Sequence, residues 1–418
     1  MTEYSQEFFD FIDKHRDDDP QKLRLKWAGK AADFDVALAI TQIECRRKYA
    51  RKLADTLARA HDRFIFPDTL AGEQCTSDAL AAWHARLVTP GTTVTDMTAG
   101  LGIDALHIAP RAASVTAIER KPELADALEH NAAVLDVANL SVLNGDSVAL
   151  LDDGKLSSDT VFIDPARRAA DGGRVFSIAD CQPDVTALLP AMRRCFRTLI
   201  AKLSPMLDMT QTARLLPGIN ALYAVGTPRE CKELVAVVDL ANTAEAGPAL
   251  PLHAVTIDAD GNASDFAFTA AEEAAAKAPT AIPAAGDYVC EPYPVILKSG
   301  AFAMFAVRFG LAKLSDNTHV YLTKELPSAD IPANIYRIAD VIPWQSKHLK
   351  RLSRTYPAAD VAVRNFAMTA DALRAKLGVR PANAASPLRI LGVTTTAGER
   401  LLLILTPLAT ALSFKLKM

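Results

Sequence analysis

The sequence predicts an α/β fold in which a doubly wound parallel sheet follows a helical region and precedes an α+β module. Two observations predict this class. Four short apolar runs each end on an acidic residue, and segments with helical periodicity lie between them. Strands that alternate with helices in this way form parallel sheets. The four runs end at Asp96, Glu119, Asp146 and Asp164.

Seven strands are expected in this sheet, and the first three are separated by two helices. The helix at 121–138 carries an apolar stripe that includes Leu124 and Leu128 and is typical of packing on a sheet. The other helix is expected at 103–112, and the strands at 94–96, 114–119, 140–146, 160–164, 199–205, 221–225 and 233–240.

The segment 94–104, VTDMTAGLGID, describes a strand that turns tightly into a helix. Gly100 and Gly102 let the backbone approach a ligand without a Cβ, and the helix after them presents unpaired N–H groups. This pattern predicts the entry to a nucleotide-type cofactor site. A Gly-x-Gly turn also occurs as ordinary loop geometry, so the segment alone is a weak signal.

The four acidic strand ends strengthen that prediction. The carboxyl ends of parallel strands meet at one edge of the sheet, where doubly wound folds bind ligands. Any one of these acids could instead cap a helix or lie in a solvated loop. Their joint occurrence favours an acid-lined site.

The stretch resembles the class I S-adenosylmethionine-dependent methyltransferases, whose catalytic domain is a Rossmann-like sheet of seven strands. The resemblance implies that Glu119 binds the ribose hydroxyls, that Asp146 lies at the adenine amino group, and that Thr76, in a helix before the first strand, closes over the carboxylate end of the cofactor. The remaining cofactor contacts that it implies are Asp96, Thr98, Gly100, Gly102, Asp104 and Asp164.

A dinucleotide enzyme is the nearest competitor, because it also requires an acid after the second strand. The turn here reads GLGID instead of G-x-G-x-x-G, and Asp104 would repel a pyrophosphate. The methyl donor carries a sulfonium and an ammonium group, which suit an acid-lined pocket.

The segment 164–168, DPARR, occupies the position at which base-modifying methyltransferases carry Asp/Asn-Pro-Pro. The resemblance implies that Asp164, Pro165 and Arg167 act in catalysis, while Arg168 and Lys202 contact the substrate. Two features depart from the family pattern: Ala166 replaces the second proline, and no aromatic residue follows it. RNA uridine C5 enzymes share an Asp-Pro-Pro-Arg form but need a cysteine at the position of Lys202, which disfavours covalent C5 chemistry. Arg167 and Arg168 either clamp a phosphate or carboxylate or are surface charges.

The C-terminal part resembles the ferredoxin-like segment and THUMP-like domain that follow class I methyltransferase domains in bacteria. The motifs EPYP, KSGAF, NTHVYLT, VIPWQSKHLKRL and VRNF carry the resemblance. It implies a structured RNA partner, tRNA or rRNA, bound by a basic helix and one aromatic residue. The alternative is a helix whose Trp and Leu side chains pack inward while its cations are solvated. The implied RNA contacts are Trp344, Lys347, Lys350 and Arg351.

These patterns divide the chain into five regions. A helical region is expected at 1–85, the methyltransferase domain at 86–245, a linker at 246–287, the ferredoxin-like segment at 288–334 and the THUMP-like domain at 335–418. Within the last region, residues 337–380 contain nine Lys or Arg and three acidic residues, which makes a polyanionic partner plausible.

Composition limits the function classes. Six scattered cysteines without a Cys-x-x-Cys pair argue against a zinc knuckle, an iron–sulfur cluster or a disulfide framework, so no metal is expected. The N-terminal segment is acidic and aromatic, and no apolar run approaches ~18 residues, so a soluble cytoplasmic protein without a membrane partner is expected.

Three functions stay open at this point. The first is an RNA base methyltransferase, the second is a methyltransferase for a protein or small molecule, and the third is an RNA-binding protein with an inactive methyltransferase fold.

Overall fold

The computed structural model describes residues 4–167, 178–382 and 388–408. The chain forms two compact units. The first holds most of the chain up to Tyr223 together with Glu233–Leu250 and Ile257–Ala263. The second holds Ala224–Lys232, Pro251–Thr256 and most of the chain from Ser264 onward.

Six helices come before the first strand. Residues of the first three share one apolar core with Ile65 and with Ala127 of a later helix. The basic side chains near the end of the third helix serve the fold, because Lys52 donates to the carbonyls of Gly72 and Glu73 at 3.1 and 2.7 Å. The six helices are α1 (Gln6–Lys14), α2 (Pro20–Trp27), α3 (Val36–Tyr49), α4 (Ala54–Arg59), α5 (Thr69–Gln74) and α6 (Asp78–Ala85).

An extended segment between α4 and α5 is held by two buried amides. The side chain of Gln42 accepts from the N–H of Phe66 and donates to its carbonyl, both at 2.8 Å. Asn131 does the same for Ile65, at 2.7 and 3.0 Å. These bonds satisfy backbone groups that no strand or helix pairs.

Strands then alternate with helices. In chain order the elements are β1 (Thr93–Asp96), α7 (Ile103–Ile108), β2 (Ser114–Glu119), α8 (Pro122–Val134), β3 (Leu140–Asn144), α9 (Ser147–Asp152), β4 (Thr160–Ile163), β5 (Ala166–Arg167), β6 (Cys181–Gln182), α10 (Val185–Cys195), β7 (Thr198–Leu203), α11 (Met209–Leu215), β8 (Ile219–Gly226), β9 (Cys231–Asp239), β10 (Pro251–Ile257), β11 (Ala263–Thr269) and α12 (Ala270–Ala275).

Nine of these strands form one sheet in the order β11-β10-β8-β9-β7-β4-β1-β2-β3, and β5 pairs with β6 separately. The pairs β1–β2, β1–β4, β2–β3 and β4–β7 are parallel, whereas β7 and β9 are antiparallel. The predicted doubly wound α/β class is thereby confirmed. The chain runs outward from β1 to β3 on one side and restarts with β4 on the other, so β1 and β4 form a topological switch point.

The predicted number of strands is wrong, because the sheet has nine strands and seven were expected. The two extra strands, β10 and β11, lie in residues 246–287, which were predicted as a linker. This segment is rich in Ala and Thr, and its composition concealed the pattern of a hairpin. The apolar side chains of Phe266 and Phe268 alternate along the second strand. The turn between the strands is closed by the N–H of Asp258, which donates to the carbonyl of Asn262 at 3.0 Å.

The second unit contains a seven-stranded sheet in the order β13-β14-β12-β15-β18-β17-β16. Two short helices, Pro294–Ser299 and Ala303–Arg308, are separated because Gly300 adopts a φ of +81° and ends the first. The elements are β12 (Tyr288–Pro292), α13 (Pro294–Ser299), α14 (Ala303–Arg308), β13 (Ala312–Lys313), β14 (Tyr321–Thr323), β15 (Ala333–Pro343), α15 (Ser346–Thr355), β16 (Asp360–Arg364), α16 (Ala370–Leu377), β17 (Arg389–Thr394) and β18 (Arg400–Pro407).

Strand β12 pairs with β15 along five residues, from Tyr288 opposite Arg337 to Pro292 opposite Ala333. The predicted boundary between residues 334 and 335 therefore falls inside β15. Residues of α15 and α16 pack on this sheet through Leu352, Leu373 and Leu377. Throughout the described part of the chain, no helix combines the length and apolar character needed to cross a bilayer.

Candidate functional site

The site lies where β1 and β4 end side by side. The N–H of Thr98 donates to Asp96 Oδ1 at 3.0 Å, which shapes the turn after β1. The N–H of Asp164, the residue after β4, donates to Thr98 Oγ1 at 2.7 Å. Thr98 thus connects the glycine turn to the segment that begins at Asp164.

Glu119, at the end of β2, faces the same turn. Its Oε2 accepts from the N–H of Gly100 at 2.9 Å, and its Oε1 accepts from the N–H of Lys121 at 2.8 Å. An added Cβ at Gly100 would project into open space, so a ligand can approach the backbone there. Gly102 is needed for packing, because an added Cβ would lie 2.0 Å from Leu128 Cδ1.

Asp146 lies at the same edge, two residues after β3, and caps α9. Its Oδ1 accepts from the N–H groups of Val148 and Ala149 at 2.9 and 3.4 Å. Helix capping was the alternative that the sequence left open for each acid. The four predicted acids gather at the carboxyl ends of neighbouring parallel strands.

A network of charged side chains connects three elements at this edge. Lys202 Nζ, on β7, donates to Asp164 Oδ2 at 2.6 Å and to Thr76 Oγ1 at 2.9 Å. Thr76 Oγ1 donates to Asp104 Oδ2 at 2.5 Å, and Lys202 Nζ lies 3.9 Å from that oxygen. Thr76, Asp104 and Lys202 form a connected polar group that reaches Asp164.

Two further residues of this network were missed by the sequence analysis. His84 is fully buried, and its Nδ1 lies 2.7 Å from Asp104 Oδ1 while its Nε2 lies 2.5 Å from Glu233 Oε1. His84 and Glu233 are 149 positions apart, and neither belongs to a motif. The one available signal was an acid and a histidine inside apolar segments, ALAAWHARL and ELVAVVDL.

Burial and neighbouring charges shift the pKa values of the site in different directions. Burial raises the pKa of Asp96 to about 8, with Asp104 and Asp164 adding to the effect. Burial also raises the pKa of Asp164, but Lys202 opposes the shift. Burial likewise disfavours the ionised form of Asp104, yet His84 and Lys202 outweigh it and hold the pKa of that carboxyl below its usual range.

The charges of this group fit a cationic ligand. Three acids, Asp104, Asp164 and Glu233, lie with two basic groups, His84 and Lys202, and Asp96, with a pKa of about 8, would ionise more readily beside a bound cation. An excess of buried acidic groups is stabilised when a cation enters. No group of three or more His, Cys, Asp or Glu within the described ranges could hold a metal ion.

Several predicted substrate contacts lie beyond what the structure describes. Arg168 is outside the described residues, as are the side chains of four others: Arg167, Lys347, Lys350 and Arg351. Trp344 packs edge-on against Phe366, with ring centroids 5.2 Å apart, and Lys376 Nζ lies 5.1 Å from its ring. Trp344 thus has the inward packing of the alternative interpretation.

Three family models match separate parts of the chain. The model described as "Putative SAM-dependent methyltransferase" matches residues 79–168. The models "ferredoxin-like domain" and "THUMP domain-like" match residues 288–330 and 333–407.

Two curated relatives and one solved structure are similar to the chain. An uncharacterised S-adenosylmethionine-dependent methyltransferase of Mycobacterium tuberculosis is 25% identical over 345 residues, which cover 80% of this chain and 87% of the relative. The ribosomal RNA small subunit methyltransferase J of Rhodopseudomonas palustris is 30% identical over 170 residues, or 34% of this chain and 76% of the relative. The crystal structure of a "putative methyltransferase" from Porphyromonas gingivalis W83 is 29% identical with a TM-score of 0.83, covering 97% of this chain and all of that one.

Proposed function

We propose that this chain, which belongs to the S-adenosylmethionine-dependent methyltransferases, methylates a base of a structured RNA such as tRNA or rRNA. The observation that carries the proposal is the Asp164 carboxylate, held 2.6 Å from Lys202 Nζ beside the glycine turn. The RNA substrate is supported by the name of the Rhodopseudomonas relative and by the THUMP-like match at 333–407.

The predicted cofactor, S-adenosylmethionine, is confirmed by the family match. When bound, it supplies an electrophilic methyl group on a positively charged sulfur. We assign its binding to the residues that line the turn and the acidic edge, whose excess of carboxylates matches a cation. They are Thr76, Asp96, Thr98, Gly100, Gly102, Asp104, Glu119, Asp146 and Asp164.

We assign to Asp164 the role of holding the nitrogen that receives the methyl group. Its Oδ2 accepts from Lys202, and 38% of its side chain is exposed, so Oδ1 is the atom through which it would hold the substrate N–H. Burial raises the pKa of Asp164 while Lys202 opposes the shift, and a carboxylate with a raised pKa is a better acceptor for the proton of the substrate. Pro165 follows directly and fixes the direction of the chain at this point.

Positioning is the other contribution of the protein. Asp164 is held at its N–H by Thr98 and at its carboxylate by Lys202, so its oxygen cannot swing away when the substrate arrives. Arg167 and Arg168, which follow in the sequence, would bind phosphate or carboxylate groups of the substrate.

Transfer of a tritiated methyl group tests the proposal. RNA and protein extracts from a strain that lacks this chain are each incubated with the enzyme and labelled S-adenosylmethionine. We expect label in RNA, lost in Asp164→Ala although that variant still binds the cofactor through the other assigned contacts, and retained in the control Asp153→Ala, which removes an exposed carboxylate. Label in protein alone would support the alternative substrate class, and full transfer by Asp164→Ala would remove Asp164 from the chemistry.

A further inference from the structure

The buried row Glu233–His84–Asp104 has no role in the mechanism described so far. We propose that Glu233 and His84 are positioning residues, which hold Asp104 in place and thereby determine that Lys202 binds Asp164. The inference rests on the proposed function in two respects, namely that Asp104 belongs to the cofactor site and that Asp164 faces the substrate.

The contacts of His84 favour a ring in which both nitrogens carry a proton. Each nitrogen faces a carboxylate oxygen, at 2.7 Å for Asp104 and 2.5 Å for Glu233. A neutral imidazole has a single N–H and would turn a lone pair toward one of the two acids. Burial works against the charged form, yet Glu233 and Asp104 raise the pKa of His84 to about 10. His84 is therefore a buried imidazolium at neutral pH.

The imidazolium assigns separate partners to the two oxygens of Asp104. Oδ1 is taken by His84, while Oδ2 accepts from Thr76 at 2.5 Å. With the charge of Asp104 already balanced, Lys202 lies 3.9 Å from Asp104 and only 2.6 Å from Asp164. The lysine thus makes its short ion pair with the residue that faces the substrate.

Removing the imidazolium would change this division of charge. Asp104 is buried, and without its counter-charge it would compete with Asp164 for the one ammonium group in contact with both. Lys202 would then move toward Asp104, and Asp164 would lose its partner. The row also joins three elements: His84 lies on α6, Asp104 on α7 and Glu233 on β9. A change at Glu233, which does not line the cofactor site, would therefore alter that site through His84 and Asp104.

The ¹⁵N spectrum of the full chain, labelled at histidine and free of cofactor, tests the row itself. The His84 signal is identified by its loss in His84→Gln. We expect both ring nitrogens of His84 to stay protonated from about pH 6.5 to about pH 8.5, and to lose a proton at lower pH in Glu233→Gln, which keeps the shape of the side chain but removes its charge. An unprotonated ring nitrogen in the wild type within this range would overturn the proposal.

The second measurement is calorimetric binding of S-adenosylmethionine. Glu233→Gln should bind it roughly tenfold more weakly, the loss expected when a hydrogen bond to a charged group is weakened. The control Glu230→Gln, an exposed glutamate three residues away, should bind as the wild type does. Equal binding by Glu233→Gln would overturn the positioning role. A wild-type chain that binds no cofactor would instead sink the proposed function, while the histidine spectra would still decide the state of the row.

Discussion

At the scale of single residues, Lys202 sets the charge state of the candidate site. It carries the one ammonium group placed within 4 Å of both Asp104 and Asp164 in the described structure, and these acids raise its pKa although burial works in the opposite direction. The sequence predicted Lys202 as a substrate contact. Its position among Thr76, Asp104 and Asp164 favours the interpretation that it acts on the substrate through Asp164.

Replacing Lys202 should change the pH dependence of methyl transfer. Lys202 opposes the burial that raises the pKa of Asp164, so in Lys202→Met that pKa rises further and the ionised form appears only at higher pH. We expect the acid limb of the pH–rate profile to move to higher pH and the rate at pH 7 to fall roughly tenfold or more.

Two variants control this prediction. Lys202→Arg keeps the positive charge and should retain part of the activity. Lys232→Met removes an exposed lysine of the neighbouring strand β9 and should leave the profile unchanged. A Lys202→Met enzyme with the wild-type profile would contradict the role of Lys202.

At this same scale, the sequence was informative only where residues are adjacent in the chain. The acids Asp96, Glu119 and Asp164 could be placed together, because a parallel sheet brings consecutive strand ends to one edge. The contact of His84 with Glu233 could not, since it depends on how α6 packs against β9, and no local pattern encodes that packing.

At the scale of elements, the extended segment at Phe64–Phe66 depends on two amide side chains. Asn131→Ala should lower the free energy of unfolding by roughly 2 to 4 kcal/mol, because it leaves a buried N–H and a buried carbonyl of Ile65 without partners. Urea unfolding followed by circular dichroism measures this change. Asn144→Ala is the matched control: its amide makes two backbone hydrogen bonds as well, to the carbonyls of Glu119 and Arg120, but it is exposed and water can replace it. Equal losses in both variants would show that burial of the amide is unimportant.

The helix α15 is the element to which we assign RNA phosphate binding. Replacing Lys347, Lys350 and Arg351 together by Ala should weaken RNA binding and lower the slope of log K against log salt by about 2 to 3, as expected for three lost phosphate contacts. Filter binding at several salt concentrations provides the measurement. Replacing three other cations of the second unit that lie outside residues 337–380, Lys277, Lys298 and Lys324, should have little effect on the slope. The same slope change in both triple variants would indicate a diffuse charge effect instead of a binding helix.

At the scale of the whole molecule, the buried acid and imidazolium of the first unit make stability depend on pH. Asp96, with a pKa of about 8, and His84, with one of about 10, keep their protons in the folded chain where the unfolded chain has lost them. Raising the pH therefore removes stability, from about pH 4 to 8 for Asp96 and from about pH 6.5 to 10 for His84. The stability of the first unit should fall by roughly 5 kcal/mol between about pH 6.5 and pH 9.

Trp83 can report this change, because its ring centroid lies 5.5 Å from that of His84. Its fluorescence would be followed during urea unfolding at constant ionic strength, with Trp27 and Trp344 replaced by Phe. Asp96→Asn, which cannot lose the proton, should show a shallower decline. Stability that stays level or rises over this pH range would contradict the assigned proton states.

The architecture of the whole chain was predictable only in part. The doubly wound sheet could be predicted because each of the strands β1 to β4 is a short apolar run that ends on or just before an acidic residue, a pattern visible within a few residues of sequence. The strands β10 and β11 were missed because small residues such as Ala254 and Ala267 gave weak alternation in a segment with the composition of a linker. The proposed roles of Trp344 and of the cations near it remain predictions, since a tryptophan in the turn between a strand and a helix packs inward or outward according to its tertiary neighbours.

The pairing of β12 with β15 has a practical consequence for dividing the chain. A fragment beginning at residue 333 would keep β15 but lose the strand that covers one of its edges along five residues. Bare backbone donors and acceptors on an eleven-residue strand recruit a strand from another copy, and association in solution follows. Expression of the C-terminal part should therefore start ahead of Tyr288, so that this edge is already occupied.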